Sequence, residues 1–222
     1  MSDELSRRLR TAGRAVGRAG LAHAYGHCSL RVDERHYLVT PSKPLALAAP
    51  GEACHLLSID DPIPPQVLGE VRIHREIYRR RPGVGGIVRS MPPHVMTMAA
   101  HGTVPRPRHG FGSYFHPAPA LWDDPQLLRS DEAAAALADQ LGGGNAILMR
   151  GNGAVVAAST IEQAVVLTWY LEDMARIDLA GRAAGLQDAP TLDAATCAQR
   201  ATWQGAIAER MFHYLSHDDP ES

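Results

Sequence analysis

Apolar residues recur at helical spacing in six stretches of the chain, and each stretch predicts a helix. Thr160 stands where the longest of these helices needs an N-terminal cap, and Gln163 occupies the third position of a capping box. The tail 217–222 is predicted to fray. The six predicted helices cover 3–19, about 66–80, the residues after Pro92-Pro93 towards His101, 131–141, about 161–184, and a last stretch from beyond 191 to about 215.

Short apolar runs bounded by turn residues predict strands between these helices. They form a hairpin of 28–32 and 36–40 around a polar turn, an apolar strand at 84–90, and a second pair at 145–149 and 154–158. A further short strand fits residues 55–59, and 102–125 is predicted to be a long ordered loop. Because helices and hairpins alternate, the predicted fold class is α/β, with a mixed sheet covered by helices in one domain over 1–222.

Composition and charge exclude several classes of protein. The 222 residues carry a formal net charge of −2, and no basic stripe of the kind that nucleic-acid binders present is visible. No stretch approaches the roughly 20 apolar residues that span a bilayer, and the first residues lack the features of a signal peptide. The three cysteines show no metal-type spacing and no disulfide framework. We therefore expect a cytoplasmic protein with free thiols and a small-molecule partner, bound to neither membrane nor nucleic acid.

Four motifs spread along nearly the whole chain resemble those of the class II aldolase/adducin family. They are GHCSLR at 26–31, LVTPSK at 38–43, the segment 69–88 and the segment 147–175. The resemblance implies a central mixed, mainly antiparallel sheet covered by helices. It also implies a homo-oligomer, most commonly a fourfold tetramer with pockets at subunit interfaces. The aromatic residues of 102–125 and of the C-terminal helix would supply apolar interface material.

The resemblance also implies where a metal ion would bind. Family members hold a divalent cation, commonly zinc, through a His-x-His pair and a third histidine. The matching positions in this chain are Arg89, Met91 and Asn152. An arginine has no lone pair to donate, a methionine thioether is a poor zinc ligand, and an amide oxygen is weak alone. The sequence therefore predicts that this site holds no metal and that the protein uses no cofactor.

The residues at the same pocket positions could take over the role of the metal ion. Glu70 matches the acidic residue that the family uses near its metal. Arg89 would keep a positive charge in the pocket, where it either binds an anionic substrate or merely neutralises Glu70. Asn152 would donate a hydrogen bond, and His94 is a candidate acid or base because imidazole titrates near neutral pH. These four residues are the predicted catalytic set.

The substrate is predicted to lack a phosphate. Where sugar-phosphate members of the family carry small hydroxyl residues before the glutamate, this chain has Leu68 and Gly69. The Gly-His-x-Ser motif and the Pro-Pro-His at 92–94 are more similar to the branch that contains decarboxylases of aromatic acids. The predicted substrate-binding residues are His27, Ser29, Thr40, Lys43, Met91, Tyr114 and His116, although Ser29 could also be an outward-facing strand residue.

Three function classes remain open from the sequence. The leading hypothesis is a metal-independent lyase that acts by decarboxylation, retro-aldol cleavage, dehydration or enolisation on a small carbonyl or carboxylate compound. An adducin-like binding module without catalysis is the second, because fold does not dictate function. The third is a metal-dependent lyase whose metal has moved to other histidines, with His27, His94, His109 and His116 as the candidates.

Overall fold

The computed structural model describes residues 2–221 and contains one seven-stranded sheet flanked by helices. The strands lie in the order β3-β2-β1-β4-β7-β6-β5. Their bounds are β1 His27–Arg31, β2 His36–Val39, β3 His55–Ser58, β4 Gly86–Ser90, β5 Ala120–Trp122, β6 Ala146–Met149 and β7 Gly153–Ala158. The helices are α1 Ser2–Arg18, α2 Arg72–Arg80, α3 Pro93–Ala100, α4 Asp131–Leu141, α5 Ile161–Ala183, α6 Ala194–Arg200 and α7 Ile207–Ser216.

The sheet is mixed and mainly antiparallel, as predicted. Strands β5 and β6 pair in parallel, whereas the other neighbouring strands pair in antiparallel fashion. The hairpin of β1 and β2 and the hairpin of β6 and β7 are both present. Strand β4 lies between them because it pairs with β1 on one side and with β7 on the other. This central position brings the end of β4 close to both hairpins.

Both faces of the sheet are buried. Helices α2 and α4 cover one face, where Ile73 and Ile87 belong to one apolar cluster. Helices α1, α3 and α5 cover the other, where Val88 and Val165 belong to a second cluster. Successive strand residues point to opposite faces, so the neighbours Ile87 and Val88 enter different cores. None of the helices within residues 2–221 has both the length and the apolar character needed to cross a bilayer.

Two parts of the C-terminal prediction are wrong. The single last helix is divided into α6 and α7 by the non-helical residues 201–206, and the positive φ angles of Gly205 and Ala206 lie directly before the start of α7. The tail is also docked rather than frayed. The buried Asp219 accepts hydrogen bonds from Arg14, and Glu221 pairs with Arg10. The predicted loop 102–125 is likewise partly regular, since it contains a 3-10 helix at Gly110–Phe115 and strand β5.

We expect the docked tail to lose stability in acid. Hydrogen bonds from Arg10 and Arg14 lower the pKa of Glu221 to about 2, from an ordinary value of 4.5. A carboxylate whose pKa is lower in the folded than in the unfolded state stabilises the fold above the unfolded value, and that contribution disappears as the pH falls through the folded value. Chemical unfolding measured between pH 4.5 and 2 should therefore show a decline that Glu221→Gln makes shallower. If the unfolding free energy of this variant declines with pH as steeply as that of the unaltered protein, the stabilising role of the Glu221 carboxylate is contradicted.

Candidate functional site

A cavity of about 670 Å³ lies where β1 begins and β4 ends. Segments after β2, before α2 and after β5 complete its wall, together with the turn between β6 and β7. Met91 and Leu127 supply apolar surface. Its polar and charged lining includes His27, Lys43, Glu70, Arg89, Arg129 and Asn152.

Strand pairing and a glycine turn bring the lining residues together. His27 and Arg89 are direct partners in the antiparallel ladder of β1 and β4, so their side chains leave the sheet on the same face. The turn that carries Asn152 ends at Gly153, whose φ is +81°. A Cβ atom on Gly153 would lie 2.0 Å from the Ser90 carbonyl oxygen. Only glycine permits this approach, which keeps Asn152 beside the end of β4.

Arg89 and Glu70 form the central ion pair of the cavity. The Arg89 side chain is 4% exposed, and its Nη2 lies 2.9 Å from Glu70 Oε2. Arg89 Nε is buried and has no hydrogen-bond partner among residues 2–221. Burial lowers the pKa of Arg89 and the Glu70 carboxylate opposes that shift, so the guanidinium remains a cation at neutral pH. An arginine with an unused donor is suited to bind a further anion.

The cavity lining carries more positive than negative charge. Lys43 and Arg129 add to Arg89, and Glu70 is the carboxylate among the lining residues. Lys43 pairs with Glu52 at 2.7 Å, outside that lining. Arg129 is exposed, and its side chain has no ion pair or hydrogen bond within residues 2–221. These charges favour an anionic ligand.

The structure gathers six of the predicted site residues at this cavity. They are His27, Lys43, Glu70, Arg89, Met91 and Asn152. Their spacing of four residues predicts that Glu70 and His74 share one face of a helix, and this prediction is wrong. Glu70 lies in a 3-10 turn, Gly69–Val71, that precedes α2, and it reaches Arg89, whereas His74 lies in α2 and reaches His27. The Asn152 amide donates weakly, at 3.3–3.4 Å, to carbonyls of the loop that carries Leu127 and Arg129.

Two predicted contacts lie behind the cavity wall. Ser29 is fully buried, and its hydroxyl contacts His74 and Tyr78. Thr40 is also buried, and its hydroxyl accepts a hydrogen bond from the backbone N–H of Cys28. Neither residue lines the cavity, which corrects the predicted substrate contacts. Both face inward because α2 and α1 pack against these strands, which a strand pattern alone does not reveal.

The remaining three predicted residues lie elsewhere in the chain. His94 Nδ1 lies 2.6 Å from Glu172 Oε1, and Glu172 also accepts the backbone N–H groups of His94 and Val95. This carboxylate thus caps α3. Tyr114 and His116 line a separate cavity of about 380 Å³ beside β5. Within one chain, therefore, none of these three residues lies at the cavity that holds the ion pair of Arg89 and Glu70.

Sequence reasoning assigned no site role to two groups of residues, one that lines the cavity and one that lies behind its wall. Leu127 and Arg129 come from a loop without periodicity, so nothing local indicates where it folds. His74 and Tyr78 lie one turn apart among the apolar residues of α2, and both are buried against β1. A histidine and a tyrosine on the apolar face of a helix are a usable signal, because buried polar side chains need partners.

The donor set around Arg89 does not fit a divalent cation. Arginine offers no lone pair, Glu70 is paired with it, and the thioether of Met91 and the amide of Asn152 are weak ligands. Within residues 2–221 no group of three histidine, cysteine or acidic side chains is placed to hold a metal. His94 and His109 instead pair with separate carboxylates, Glu172 and Asp173.

We therefore predict that this cavity binds no stoichiometric metal. Elemental analysis of protein purified without chelator should find less than one divalent ion per chain, and dialysis against EDTA should leave the melting temperature unchanged. The physical reason is that a bound metal stabilises the folded state by mass action. One zinc per chain that is lost together with thermal stability would contradict this prediction.

Comparisons with known proteins agree on one family. The model of the class II aldolase and adducin N-terminal domain matches residues 7–179. The 3,4-dihydroxyphthalate decarboxylase of Arthrobacter keyseri is 29% identical over an alignment of 205 residues, and the match covers 83% of this chain and 82% of that protein. The fold is similar to L-fuculose 1-phosphate aldolase from Glaciozyma antarctica PI12, with a TM-score of 0.79 at 21% identity over 97% of this chain and 90% of that one. L-fuculose-1-phosphate aldolase from Thermus thermophilus gives a TM-score of 0.70 at 27% identity over 82% of this chain and 97% of that one.

Proposed function

Because the chain belongs to the class II aldolase and adducin family, we propose that it is a lyase that decarboxylates a small aromatic carboxylate without a metal ion. The aldolase and decarboxylase relatives support lyase chemistry at the level of the family. The decarboxylase relative acts on a dihydroxyphthalate, and we take a hydroxylated benzene dicarboxylate as the substrate class.

The observation that carries this proposal is the buried Arg89 guanidinium. It keeps an unpartnered Nε while it pairs with Glu70 at the same cavity. A substrate carboxylate or phenolate oxygen would complete the hydrogen bonds of Arg89, and Lys43 and Arg129 supply charge for a second carboxylate. An aromatic ring would contact the apolar surface of Met91 and Leu127.

Glu70 is suited to move the proton that decarboxylation requires. It takes a proton from the ring hydroxyl next to the departing carboxylate and delivers it to the ring carbon that bears this carboxylate. The carbon–carbon bond then breaks, CO2 leaves, and the electron pair restores the aromatic ring with its oxygen as a phenolate. The phenolate regains a proton from water. Arg89 stabilises the negative charge on oxygen throughout.

The direct test incubates the purified protein with 3,4-dihydroxyphthalate and measures CO2 and dihydroxybenzoate, with and without EDTA. We expect turnover in both samples and a loss of about 100-fold or more in Glu70→Gln, which is typical when a positioned acid or base is removed. Glu34→Gln, in the exposed turn between β1 and β2, is the matched control and should keep full activity.

The same protein is also assayed for cleavage of L-fuculose 1-phosphate and for binding of the dicarboxylate, and some outcomes would favour other functions. Cleavage of L-fuculose 1-phosphate in place of decarboxylation would contradict the proposal and indicate an aldolase. Binding of the dicarboxylate without turnover would contradict it as well and would favour a binding module. Activity that EDTA abolishes and zinc restores would indicate a metal-dependent lyase.

We also propose that the protein assembles as a homotetramer. Phe111 stacks on Tyr170 with ring centroids 4.2 Å apart and is still 39% exposed, and Tyr214 is 67% exposed. Exposed aromatic surface of this kind is common at protein interfaces. Light scattering at micromolar concentration should give about four times the mass of the 23.9 kDa chain. In such a tetramer we expect Tyr114 or Tyr214 to reach a neighbour's cavity, and a monomer would contradict both proposals.

A further inference from the structure

Four buried side chains form a continuous hydrogen-bond chain that begins at the cavity. His27 Nδ1 lies 2.9 Å from His74 Nε2, and His74 Nδ1 lies 2.6 Å from Ser29 Oγ. Ser29 Oγ in turn lies 2.9 Å from the Tyr78 hydroxyl. All four side chains are at most 2% exposed. The first member, His27, lines the cavity, and its Nε2 is buried with no partner among residues 2–221.

The hydrogen atoms of this chain can be assigned in two directions. In the first, Tyr78 donates to Ser29, Ser29 donates to His74 Nδ1, and His74 Nε2–H donates to His27 Nδ1. His27 then carries its own hydrogen on Nε2. In the second direction every donor is reversed, and His27 Nε2 is a bare acceptor.

Only the first direction gives every hydroxyl hydrogen an acceptor. In the second direction Ser29 donates to Tyr78, and the Tyr78 hydroxyl hydrogen is then left without an acceptor among residues 2–221. In the first direction the hydrogen left without a protein acceptor is the His27 Nε2–H, which borders the cavity, where a ligand oxygen can accept it. The second direction leaves two buried groups unpaired, the Tyr78 hydroxyl hydrogen and the His27 Nε2 lone pair. Because buried polar groups without partners are costly, the first direction is favoured. At the other end of the hydrogen-bond chain, Arg31 holds Tyr78 in position. Its guanidinium lies 4.6 Å from the centre of the Tyr78 ring and donates to the Tyr78 carbonyl oxygen.

Both imidazoles carry a single hydrogen at neutral pH, as this assignment requires. Burial, together with the positive charge of Arg89, lowers the pKa of His74 to about 3. Burial also lowers the pKa of His27 well below its ordinary value, with His74 and Arg89 adding to the effect. Two neutral rings in contact each present one donor and one acceptor nitrogen.

We propose that the chain of Tyr78, Ser29 and His74 holds His27 as a hydrogen-bond donor, with its Nε2–H directed at an anionic oxygen of a ligand in the cavity. His27 and Arg89 are cross-strand partners, so the two donors contact the same carboxylate or phenolate. This inference rests on the proposed function for the identity of the ligand, although the state of His27 itself does not. His74, Ser29 and Tyr78 are positioning residues, since they act through His27.

The tautomer is measured directly by 15N NMR of histidine-labelled protein, with assignments from His27→Gln and His74→Gln. We expect both rings to be neutral and to carry hydrogen on Nε2. Hydrogen on Nδ1 of His27, or a charged His27 at neutral pH, would overturn the proposal whether or not any ligand binds. Tyr78→Phe removes the hydrogen that sets the direction, and it should introduce a population of the Nδ1 tautomer at His27. An unchanged His27 spectrum in this variant would contradict the role of Tyr78.

Binding is tested with phthalate, a dicarboxylate that lacks the ring hydroxyls. Its addition should shift the His27 Nε2–H signal, and His27→Phe should weaken binding about tenfold or more, as expected for a hydrogen bond to a charged group. His74→Gln keeps an amide donor towards His27 and should retain more affinity than His74→Leu, whereas His101→Leu at an exposed site should have no effect. Phthalate that binds with none of these effects would overturn the donor role. Phthalate that fails to bind the unaltered protein would count against the proposed substrate class. The 15N NMR measurement would still decide which nitrogen of His27 carries the hydrogen.

Discussion

Replacing Arg89 with methionine is expected to abolish decarboxylation, with a loss of about 100- to 1,000-fold in kcat, as when a single preorganised donor to a developing anion is removed. Methionine preserves much of the length of the side chain, so the sheet should keep its packing. The lost charge leaves Glu70 without its partner, but this carboxylate is 20% exposed and borders a water-accessible cavity. The loss in unfolding free energy should therefore remain below the roughly 3–5 kcal/mol typical of a fully buried charge without a partner.

Three further variants separate a working cavity from a structural ion pair. Arg89→Lys should recover only part of the activity, because it keeps the charge and loses the planar fork. Arg35→Met removes a guanidinium from an exposed pair with Asp60 and should change neither activity nor stability. If Arg89 merely neutralises Glu70, the double variant with Glu70→Gln should restore the stability lost in Arg89→Met, and no variant should change ligand binding. That pattern would contradict the proposed role of Arg89.

Replacing Arg14 with leucine is expected to cause the largest loss of stability, about 3 kcal/mol or more. Its guanidinium is 2% exposed and lies 2.6 Å from the Asp219 carboxylate, which is 1% exposed. Asp219 would then keep the more distant Arg18, at 3.4 Å, and a hydrogen bond from Thr11. Because these contacts remain, we expect the loss in unfolding free energy to lie at the lower end of the range for a broken buried ion pair.

Urea unfolding of Arg14→Leu, compared with Arg8→Leu, tests this expectation. Arg8 lies on the same helix and pairs with Glu162, but its side chain is 40% exposed, so its loss should cost less than about 1 kcal/mol. The double variant Arg14→Leu with Asp219→Asn should recover part of the loss, since it removes the buried charge. Equal effects of Arg14→Leu and Arg8→Leu would show that the docked tail contributes little to stability.

Elements with a clear local pattern were predictable from the sequence. The capped helix α5, the two hairpins and strand β4 all follow from periodicity and turn residues, and they appear close to the predicted bounds. The resemblance of four motifs then placed Glu70, Arg89, Met91 and Asn152 at one cavity, where the structure finds them. Strand pairing explains why they lie together, because the ends of neighbouring strands meet at one edge of the sheet, and their role there remains a prediction.

What the sequence did not predict depends on contacts between distant residues. The tail 217–222 looks polar and disordered, yet its carboxylates meet arginines of α1 that are more than 200 positions away. Ser29 alternates on β1 like a solvent-facing residue, but α2 covers that face and converts its hydroxyl into a link between His74 and Tyr78. Neither the docking of a tail nor the packing of a helix on a strand has a local sequence signal.

The most direct test of the central claim is a crystal structure of the protein with phthalate. We expect one carboxylate within hydrogen-bond distance of both Arg89 and His27 Nε2, with the ring against Met91 and Leu127. The same soak of Arg89→Met should leave the cavity without phthalate. Phthalate bound in the unaltered protein only at the separate cavity beside Tyr114 and His116, or bound unchanged in Arg89→Met, would contradict the claim that Arg89 forms the anion site.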